Sequence, residues 1–362
     1  MRPKIFIIGS TGKLGTLLLN FCKKNFIKID AIANFSNISK LKDQSKKFQI
    51  KTTFSLSYKK DLLKMFEYFK IKKIDIIYFL DTGAQSLVYL DIFNNFQKSS
   101  YIAIANKELI ITAGPVLKKS LTKNNNTLIP LDSEHFSLIK TSLYEPIRKI
   151  FITASGGPFF YKKNINLDNV KKKSVLSHPK WIMGNNNLID SSNLINKILE
   201  IFELSHIFNI NLKKIDFLLN KEAYVHSIVE YEDNTIQLNC FENDMLITLS
   251  YPLRKFFNFK FKNKKNINFS SNNSFKLDDK FDKRFKIIKK FKTIKDFKHT
   301  DQIQFLLLNK IAQKKYLKNQ LKYNNIVEFI FKNIDTEYKN KLHNFNDIIR
   351  FVDILNTRYL NL

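Results

Sequence analysis

Cysteine is scarce in this sequence of 362 residues, which contains only Cys22 and Cys240. Two thiols are too few for a disulfide framework or a cysteine metal cluster, and this fits a reducing cytosol. Long apolar runs are also missing, since none approaches the roughly 20 residues that a membrane helix needs. The opening residues, MRPKIFIIG, read as a buried strand rather than a signal peptide. We therefore expect a soluble, cytoplasmic, globular protein of two or three domains.

Arginine is equally sparse, because it supplies only six of the 61 basic residues in a chain of net charge +29. Such a charge predicts nucleic-acid binding when basic groups cluster, but base-reading proteins depend heavily on Arg. The Lys excess accompanies abundant Asn, Ile and Phe and few Gly, Pro and Trp, which is the bias of AT-rich coding DNA. We favour the compositional explanation and expect no nucleic-acid partner.

Short apolar runs alternate with amphipathic ones over the first 130 or so residues, as in KIFIIG followed by TLLLNFCKK. This rhythm predicts βαβ units on a parallel sheet, in a Rossmann-like domain over residues 1–131. The residues that follow are mixed and include AYVHSIVEYEDNTIQLNCF, whose turn signal predicts antiparallel strands. We expect a central α+β domain at 132–256, a linker at 257–285 and a small helical domain at 286–362.

The segment GSTGKLG, with Gly9, Gly12 and Gly15, lies between a predicted strand and a predicted helix. Glycines allow a tight turn and close backbone approach, and a helix N-terminus favours a pyrophosphate. A structural glycine turn would look similar. The second strand ends in Ala-Asn-Phe-Ser without the acidic residue that holds an NAD ribose, which favours NADPH with Lys40 or Lys42 at its 2′-phosphate.

Two acidic residues, Asp132 and Glu134, follow an apolar strand in PLDSE. Alternate residues of an extended segment project to one side, so the pair can share a divalent cation, although paired acids in loops are usually only solvated. A helix near 191–207 carries Asn196, Lys197 and Glu200 on a polar face, and Glu200 can complete a three-carboxylate site for Mg²⁺ or Mn²⁺, with Co²⁺ as a further candidate. We expect Asp190-Ser191-Ser192 to cap that helix.

Two further segments suit a phosphorylated ligand. TASGGPF runs from a strand into a Ser-Gly-Gly turn that can form a backbone nest for phosphate, although such a sequence alone is only a turn. HPKWIMG contains the only Trp of the chain and can close over a substrate, although a single Trp is more often part of a core.

Read together and in order, these segments resemble the 1-deoxy-D-xylulose 5-phosphate reductoisomerase family. Six motifs carry the resemblance: GSTGKLG, ANKE with TAG at 105–114, PLDSEH, TASGGPF, HPKWIMG and IDSSNLINKILE. It covers residues 1–255 well and the helical tail weakly. The resemblance implies an NADPH-dependent oxidoreductase that isomerises and reduces 1-deoxy-D-xylulose 5-phosphate to 2-C-methyl-D-erythritol 4-phosphate, for isoprenoid precursors. It also implies that residues 1–131 form the NADPH-binding domain and residues 132–256 the catalytic and dimerisation domain, whose sheet joins a homodimer.

The family's site residues carry over by position. The resemblance implies a metal site of Asp132, Glu134 and Glu200, with Lys107 and His178 as further catalytic residues. The implied substrate contacts are Ser133, Ser155, His178, Trp181, Ser191, Asn196 and Lys197. The implied cofactor contacts are Gly9, Thr11, Gly12, Lys13, Leu14, Gly15, Asn106, Glu108 and Gly184.

The sequence departs from the family pattern at Ser36, where a basic residue would suit NADPH, at Ile198 and at Asn220 to Ala223. Two other function classes stay open at this point. One is a basic nucleic-acid-binding protein on an old enzyme scaffold, and the other is a metal-independent Rossmann dehydrogenase for a substrate such as an amino-acid semialdehyde.

Overall fold

The computed structural model describes residues 2–83, 88–93, 100–141, 143, 145–160, 165–177, 184–259, 276–278, 284–338 and 341–362. The backbone separates into two compact units. The first contains Met1–Ile139 and Glu242–Ile267, and the second contains Lys140–Phe241 and Asn268–Leu362. Within the described ranges, no helix is both long enough and apolar enough to cross a membrane.

The first unit is the predicted Rossmann-like α/β structure. Its elements up to residue 137 are β1 Ile5–Ile8, α1 Lys13–Lys24, β2 Ala31–Asn34, α2 Ile38–Phe48, β3 Thr52–Ser55, α3 Lys59–Ile71, β4 Ile76–Phe79, α4 Leu90–Phe93, β5 Tyr101–Ile104, α5 Lys107–Lys123, β6 Thr127–Pro130 and α6 Ser133–Ser137. The six strands are parallel, in the order β3-β2-β1-β4-β5-β6. The strand order reverses between β1 and β4, and a dinucleotide binds at such a switch point.

Strand sequences explain this sheet. Every residue of β1, β2 and β4 is buried, as expected where helices cover both faces of a parallel sheet. Helix α1 turns Leu18, Leu19 and Cys22 inward at helical spacing. The GSTGKLG loop therefore connects a fully buried strand to a helix whose position is fixed by its apolar face.

The second unit contains a mixed sheet and most of the remaining helices. In chain order the elements that follow α6 are β7 Ile147–Ala154, α7 Lys172–Val175, α8 Asn185–Ser192, α9 Ile195–Phe208, β8 Ile215–Leu219, β9 Val225–Tyr231, β10 Ile236–Cys240, α10 Met245–Leu249, α11 Lys286–Ile294, α12 His299–Leu317, α13 Ile326–Asn333 and α14 Phe345–Arg358. The strand order is β10-β9-β7-β8. The predicted antiparallel hairpin is confirmed as β9–β10, whereas β7 and β8 run parallel.

The compact units divide the chain differently from the predicted domain boundaries. Helix α10, expected in the central domain, belongs to the first unit, where the Tyr78 hydroxyl donates to the Leu249 carbonyl at 2.8 Å. The C-terminal segment at 286–362 is helical as predicted, but its helices α11 to α14 belong to the same unit as the four-stranded sheet. Most of the proposed linker at 257–285 lies outside the described residues.

A buried histidine gives the second unit an acid-sensitive core. His206 on α9 packs edge-on against His299, with ring centroids 4.9 Å apart. Burial, with the nearby His299, lowers the pKa of His206 from 6.5 to about 3. Between these two pKa values the unfolded chain binds the additional proton, so this contribution to stability is complete above pH 6.5 and declines as the pH falls.

We expect the free energy of unfolding to fall by about 1.4 kcal/mol per pH unit below the unfolded pKa because of this one group. His206→Leu should flatten that slope in urea titrations at a series of pH values. His343→Leu, at an exposed position, is the matched control and should leave it unchanged. An unchanged slope in His206→Leu would assign the acid sensitivity to other groups.

Candidate active site

The GSTGKLG loop follows β1 and has the geometry of an anion-binding turn. Gly9 has φ +82°, and a Cβ at this position would lie 2.3 Å from the backbone nitrogen of Asp81. A Cβ on Gly15 would lie 2.4 Å from the Gly9 carbonyl oxygen. Gly12 is the N-cap of α1 and brings no side chain to the first backbone N–H groups of the helix. These N–H groups therefore suit a pyrophosphate placed at the helix N-terminus.

Helix α2 is tied to this loop by side chains. Lys40 Nζ donates to the Thr11 carbonyl at 2.7 Å, and Gln44 Nε2 donates to the Ser10 carbonyl at 2.9 Å. Lys40, one of the two lysines expected at a 2′-phosphate, therefore lies beside the loop. Ser36 is exposed.

Sequence reasoning missed two polar residues in this part of the unit. Asn34 ends β2 and is 1% exposed, and neither amide atom has a hydrogen-bond partner within the described ranges. Asp81 follows β4 at the switch point and accepts from Asn106 Nδ2 at 3.3 Å. Burial raises the pKa of the Asp81 carboxyl to about 6. Asn34 ends an apolar strand and Asp81 follows one. Their position at the carboxyl ends of parallel strands could have marked them as candidate site residues from the sequence.

The ANKE segment begins α5. Asn106 caps this helix by accepting from the Leu109 backbone N–H at 2.8 Å, and Glu108 accepts from the Gly83 backbone N–H at 3.0 Å. Lys107 Nζ lies 2.8 Å from Asp132 Oδ2. The structure thus brings Lys107 against one of the predicted metal ligands.

Asp132 and Glu134 lie at the start of the short helix α6, and not in an extended segment as the sequence argument assumed. Asp132 is the N-cap, and its Oδ1 accepts from the Glu134 backbone N–H at 3.3 Å. Ser133 Oγ donates to Glu134 Oε2 at 2.5 Å. Asp132 and Glu134 are nevertheless neighbours, because the N-cap and the second residue of a helix lie close together.

The other predicted ligand, Glu200, is buried on α9 in the second unit. Its carboxylate accepts from Asn196 Nδ2 and forms an ion pair with Lys197 Nζ. Lys197 Nζ also donates to the Thr153 carbonyl at 2.6 Å, which connects α9 to the end of β7. The polar side chains expected on one helix face therefore form a single group, in which Lys197 and Glu200 are buried and Asn196 is half-buried.

The expected capping role of Asp190, Ser191 and Ser192 is wrong. These residues form the last turn of α8, and α9 begins only after Leu194, whose φ of +66° breaks the helical path. The apparent continuity of one helix at 191–207 arose because apolar spacing persists across this break. Ser191 therefore lies at a helix C-terminus.

The Ser-Gly-Gly turn lies against that C-terminus. Gly156 and Gly157 have φ values of +91° and +61°. A Cβ on Gly157 would lie 2.7 Å from the Ser191 carbonyl oxygen, so the turn requires glycine where it meets α8. Ser155 and Ser191 thus belong to segments in direct contact.

The remaining predicted residues are less informative. His178 and Trp181 lie outside the described residues. Gly184 is the exposed N-cap of α8. Among the departures, Ile198 is buried in α9, and Asn220 Oδ1 accepts from the Tyr224 and Val225 backbone N–H groups at 2.9 and 3.2 Å. Asn220 therefore organises the turn before β9.

A comparison with known proteins identifies the family. The 1-deoxy-D-xylulose 5-phosphate reductoisomerase of Pelagibacter ubique (strain HTCC1062) is 34% identical over an alignment of 367 positions, which covers 93% of this chain and 92% of the relative. The chain belongs to the 1-deoxy-D-xylulose 5-phosphate reductoisomerase family. A second reductoisomerase, from Clostridium novyi (strain NT), is 33% identical over 72% of each chain. A family model for the reductoisomerase C-terminal domain matches residues 128–208.

Solved reductoisomerase structures have the same fold. A DOX-P reductoisomerase in complex with NADPH, fosmidomycin and magnesium superimposes with a TM-score of 0.84 at 23% identity, over 98% of this chain and 97% of the other. The enzyme from Zymomonas mobilis in complex with NADPH gives 0.82 at 22% identity, over 99% and 98%. The predicted fold class is confirmed, and the match to the C-terminal reductoisomerase domain includes Asp132, Glu134 and Glu200.

Proposed function

We propose that this chain isomerises 1-deoxy-D-xylulose 5-phosphate and reduces the product with NADPH to 2-C-methyl-D-erythritol 4-phosphate. The observation that carries the proposal is the reductoisomerase relative, 34% identical over 93% of the chain. The similar solved structures contain NADPH and magnesium, which supports the same cofactors here. The metal-independent dehydrogenase considered from the sequence is not retained, because the full-length relatives are reductoisomerases.

NADPH fits the first unit by the donor groups present. The backbone N–H groups of Gly12, Lys13 and Leu14 would receive the pyrophosphate at the start of α1, and Thr11 and Gly15 complete the turn. Lys40 provides the positive charge for a 2′-phosphate, because its side chain already reaches Thr11. Bound NADPH supplies the hydride for the aldehyde carbon. Asn106, Glu108 and Gly184 are the other proposed cofactor contacts.

A divalent cation fits three carboxylates, because Mg²⁺ and Mn²⁺ prefer oxygen ligands. We propose Asp132, Glu134 and Glu200 as these ligands. A bound cation supplies positive charge that polarises the carbonyl and stabilises developing negative charge on the substrate oxygens. Lys107 holds one Asp132 oxygen at 2.8 Å and so fixes the orientation of that carboxylate. Lys197 compensates the buried Glu200 in the same manner.

The substrate phosphate would bind where the Ser-Gly-Gly turn meets the end of α8. Ser155 and Ser191 come from the two contacting segments, and Asn196 and Lys197 follow on α9. Two hydroxyls, an amide and an ammonium form a donor set that suits an anion. Ser133, His178 and Trp181 are the other proposed substrate contacts, and His178 is also proposed as a catalytic residue.

An exposed edge strand and two free thiols bear on the oligomeric state and the cellular location. β10 is an edge strand with Ile236 59% exposed and Leu238 45% exposed, which suits pairing with a second copy in a homodimer. Cys22 and Cys240 are both free thiols, as in a reducing cytoplasm. We propose a cytoplasmic homodimer that uses Mg²⁺ or Mn²⁺, with no nucleic-acid partner.

Metal removal tests the proposed chemistry. Purified protein with NADPH, 1-deoxy-D-xylulose 5-phosphate and Mg²⁺ should oxidise NADPH, seen as loss of its absorbance. Excess EDTA should abolish turnover, and added Mg²⁺ or Mn²⁺ should restore it. Turnover that persists in EDTA would overturn the metal-dependent mechanism, and no turnover with either metal would overturn the proposed activity.

A further inference from the structure

Helix α12 is an unusual element of the second unit because polar side chains are buried along its length. Gln304, Asn309 and Gln313 are each no more than 1% exposed. Burying an amide is unfavourable unless it is hydrogen-bonded, so such side chains usually have a definite partner. For Asn309 and Gln313 that partner is one carboxylate.

Asp190, in the last turn of α8, receives both amides on the same oxygen. Asn309 Nδ2 donates to Oδ1 at 3.0 Å, and Gln313 Nε2 donates to Oδ1 at 2.6 Å. The two donors are four residues apart and so lie on one face of α12. Gln313 Nε2 also lies 3.3 Å from the Asn186 carbonyl, in the first turn of α8. Helix α12 is therefore hydrogen-bonded to both the first and the last turn of α8.

Asp190, which accepts these hydrogen bonds from α12, comes directly before the proposed phosphate site in the chain. The next residue, Ser191, lies against Gly157, and the backbone then passes through Leu194 at φ +66° into α9. Both of these donors are neutral amides, and hydrogen bonds to an ionised carboxylate are stronger than those between neutral groups. A displacement of Asp190 would move Ser191 relative to the Ser-Gly-Gly turn.

We propose that Asn309 and Gln313 are positioning residues that hold Asp190, and through it the α8–α9 turn, in the geometry that binds the substrate phosphate. This inference rests on the proposed function, which places the phosphate at Ser155 and Ser191. It gives the C-terminal helices a specific role in binding the substrate. The role acts on substrate affinity, because neither amide is itself proposed to touch the substrate.

Asn309→Asp tests this role by placing a carboxylate opposite Asp190. We expect KM for 1-deoxy-D-xylulose 5-phosphate to rise about tenfold or more, as for one lost charge-assisted hydrogen bond, with kcat changed far less. KM for NADPH should stay at the wild-type value. The double variant Asp190→Asn with Asn309→Asp restores an amide–carboxylate pair in reverse and should return KM to within about threefold of wild type.

Asn324→Asp is the matched control, because Asn324 Nδ2 donates to Asp168 Oδ1 at 2.7 Å at an exposed site of the same unit. It should leave both KM values unchanged. If Asn309→Asp does not fold, Gln313→Met removes one of the two donors to Asp190, and a smaller rise in substrate KM is expected, again with KM for NADPH unchanged. The inference is overturned if the folded variant keeps the wild-type substrate KM, if both KM values rise alike, or if the double variant is no better than the single one.

Phosphate binding separates this inference from the proposed function. Calorimetric titration of the wild type and Asn309→Asp with inorganic phosphate needs no turnover. If the wild type does not oxidise NADPH, the activity is wrong, and weaker phosphate binding by Asn309→Asp still supports the positioning role. Equal phosphate affinity in the two proteins would overturn the role even where the wild type is active.

Discussion

Glu200→Gln will lower kcat for NADPH-dependent reduction of 1-deoxy-D-xylulose 5-phosphate by about a thousandfold or more, because the cation would lose one of its three proposed anionic ligands. The replacement keeps the shape of the side chain. Its amide oxygen can still accept from the Lys197 ammonium, which pairs with Glu200 in the native protein. We therefore expect the folded structure to persist while the metal affinity and the turnover fall together.

Steady-state kinetics at saturating Mg²⁺, with Mn²⁺ affinity measured in parallel, check this prediction. Glu328→Gln is the matched control, because it makes the same chemical change in the Lys286–Glu328 surface pair, whose atoms are 2.6 Å apart. A surface pair contributes little, so the control should keep wild-type kinetics. Wild-type turnover in Glu200→Gln would remove this residue from the metal site.

Gly9→Ala will impair NADPH binding severely. The new Cβ would lie 2.3 Å from the Asp81 backbone nitrogen, and Ala would have to adopt φ +82°. The clash is with backbone at the end of β4, so the loop must move away from the switch point. We expect KM for NADPH to rise about a hundredfold and the melting temperature to fall by about 4 °C or more, the latter for a loss of a few kcal/mol.

Gly83→Ala separates backbone strain from steric contact. Gly83 has φ +111°, but a Cβ on it would meet nothing within 4 Å. It should lower the melting temperature with a much smaller effect on KM for NADPH. If Gly9→Ala binds NADPH as tightly as the native protein, the GSTGKLG loop is not the cofactor site.

The Rossmann-like unit was predictable because local signals agree with the fold. Strands such as IFII and IIYF are buried on both faces, and an amphipathic helix follows the first of them at once. Five of the eight glycines lie in GSTGKLG and TASGGPF, and in the structure both segments have glycines with positive φ in close contact with backbone. Because glycine is rare in the rest of the chain, these two turns could be recognised from the sequence.

The break between α8 and α9 was not predictable from apolar spacing. Leu188, Ile189, Ile195 and Ile198 are all buried, so one helical period appears to run through a backbone that leaves the helix at Leu194. Leucine rarely adopts a positive φ, and nothing in the sequence marks the position where it does so here. Asp190, shortly before this break, accepts a hydrogen bond from Asn309 on α12, and local spacing does not reveal such a contact.

Long-range partners were also beyond the sequence. Asn309 and Gln313 reach Asp190 across 119 and 123 residues, and α10 returns to the first unit across a comparable separation. The meeting of Asp132, Glu134 and Glu200 around one cation likewise stays a prediction. It concerns residues of both compact units and rests on the family resemblance.

Crystals grown with Mn²⁺ in place of Mg²⁺ test that central claim most directly, through an anomalous difference map. The account predicts one strong peak for each protomer. Carboxylate oxygens of Asp132, Glu134 and Glu200 should lie about 2.0–2.2 Å from it, close to the metal–oxygen distance of small divalent cations. A peak bound by other residues, or no peak between these three carboxylates at saturating Mn²⁺, would contradict it.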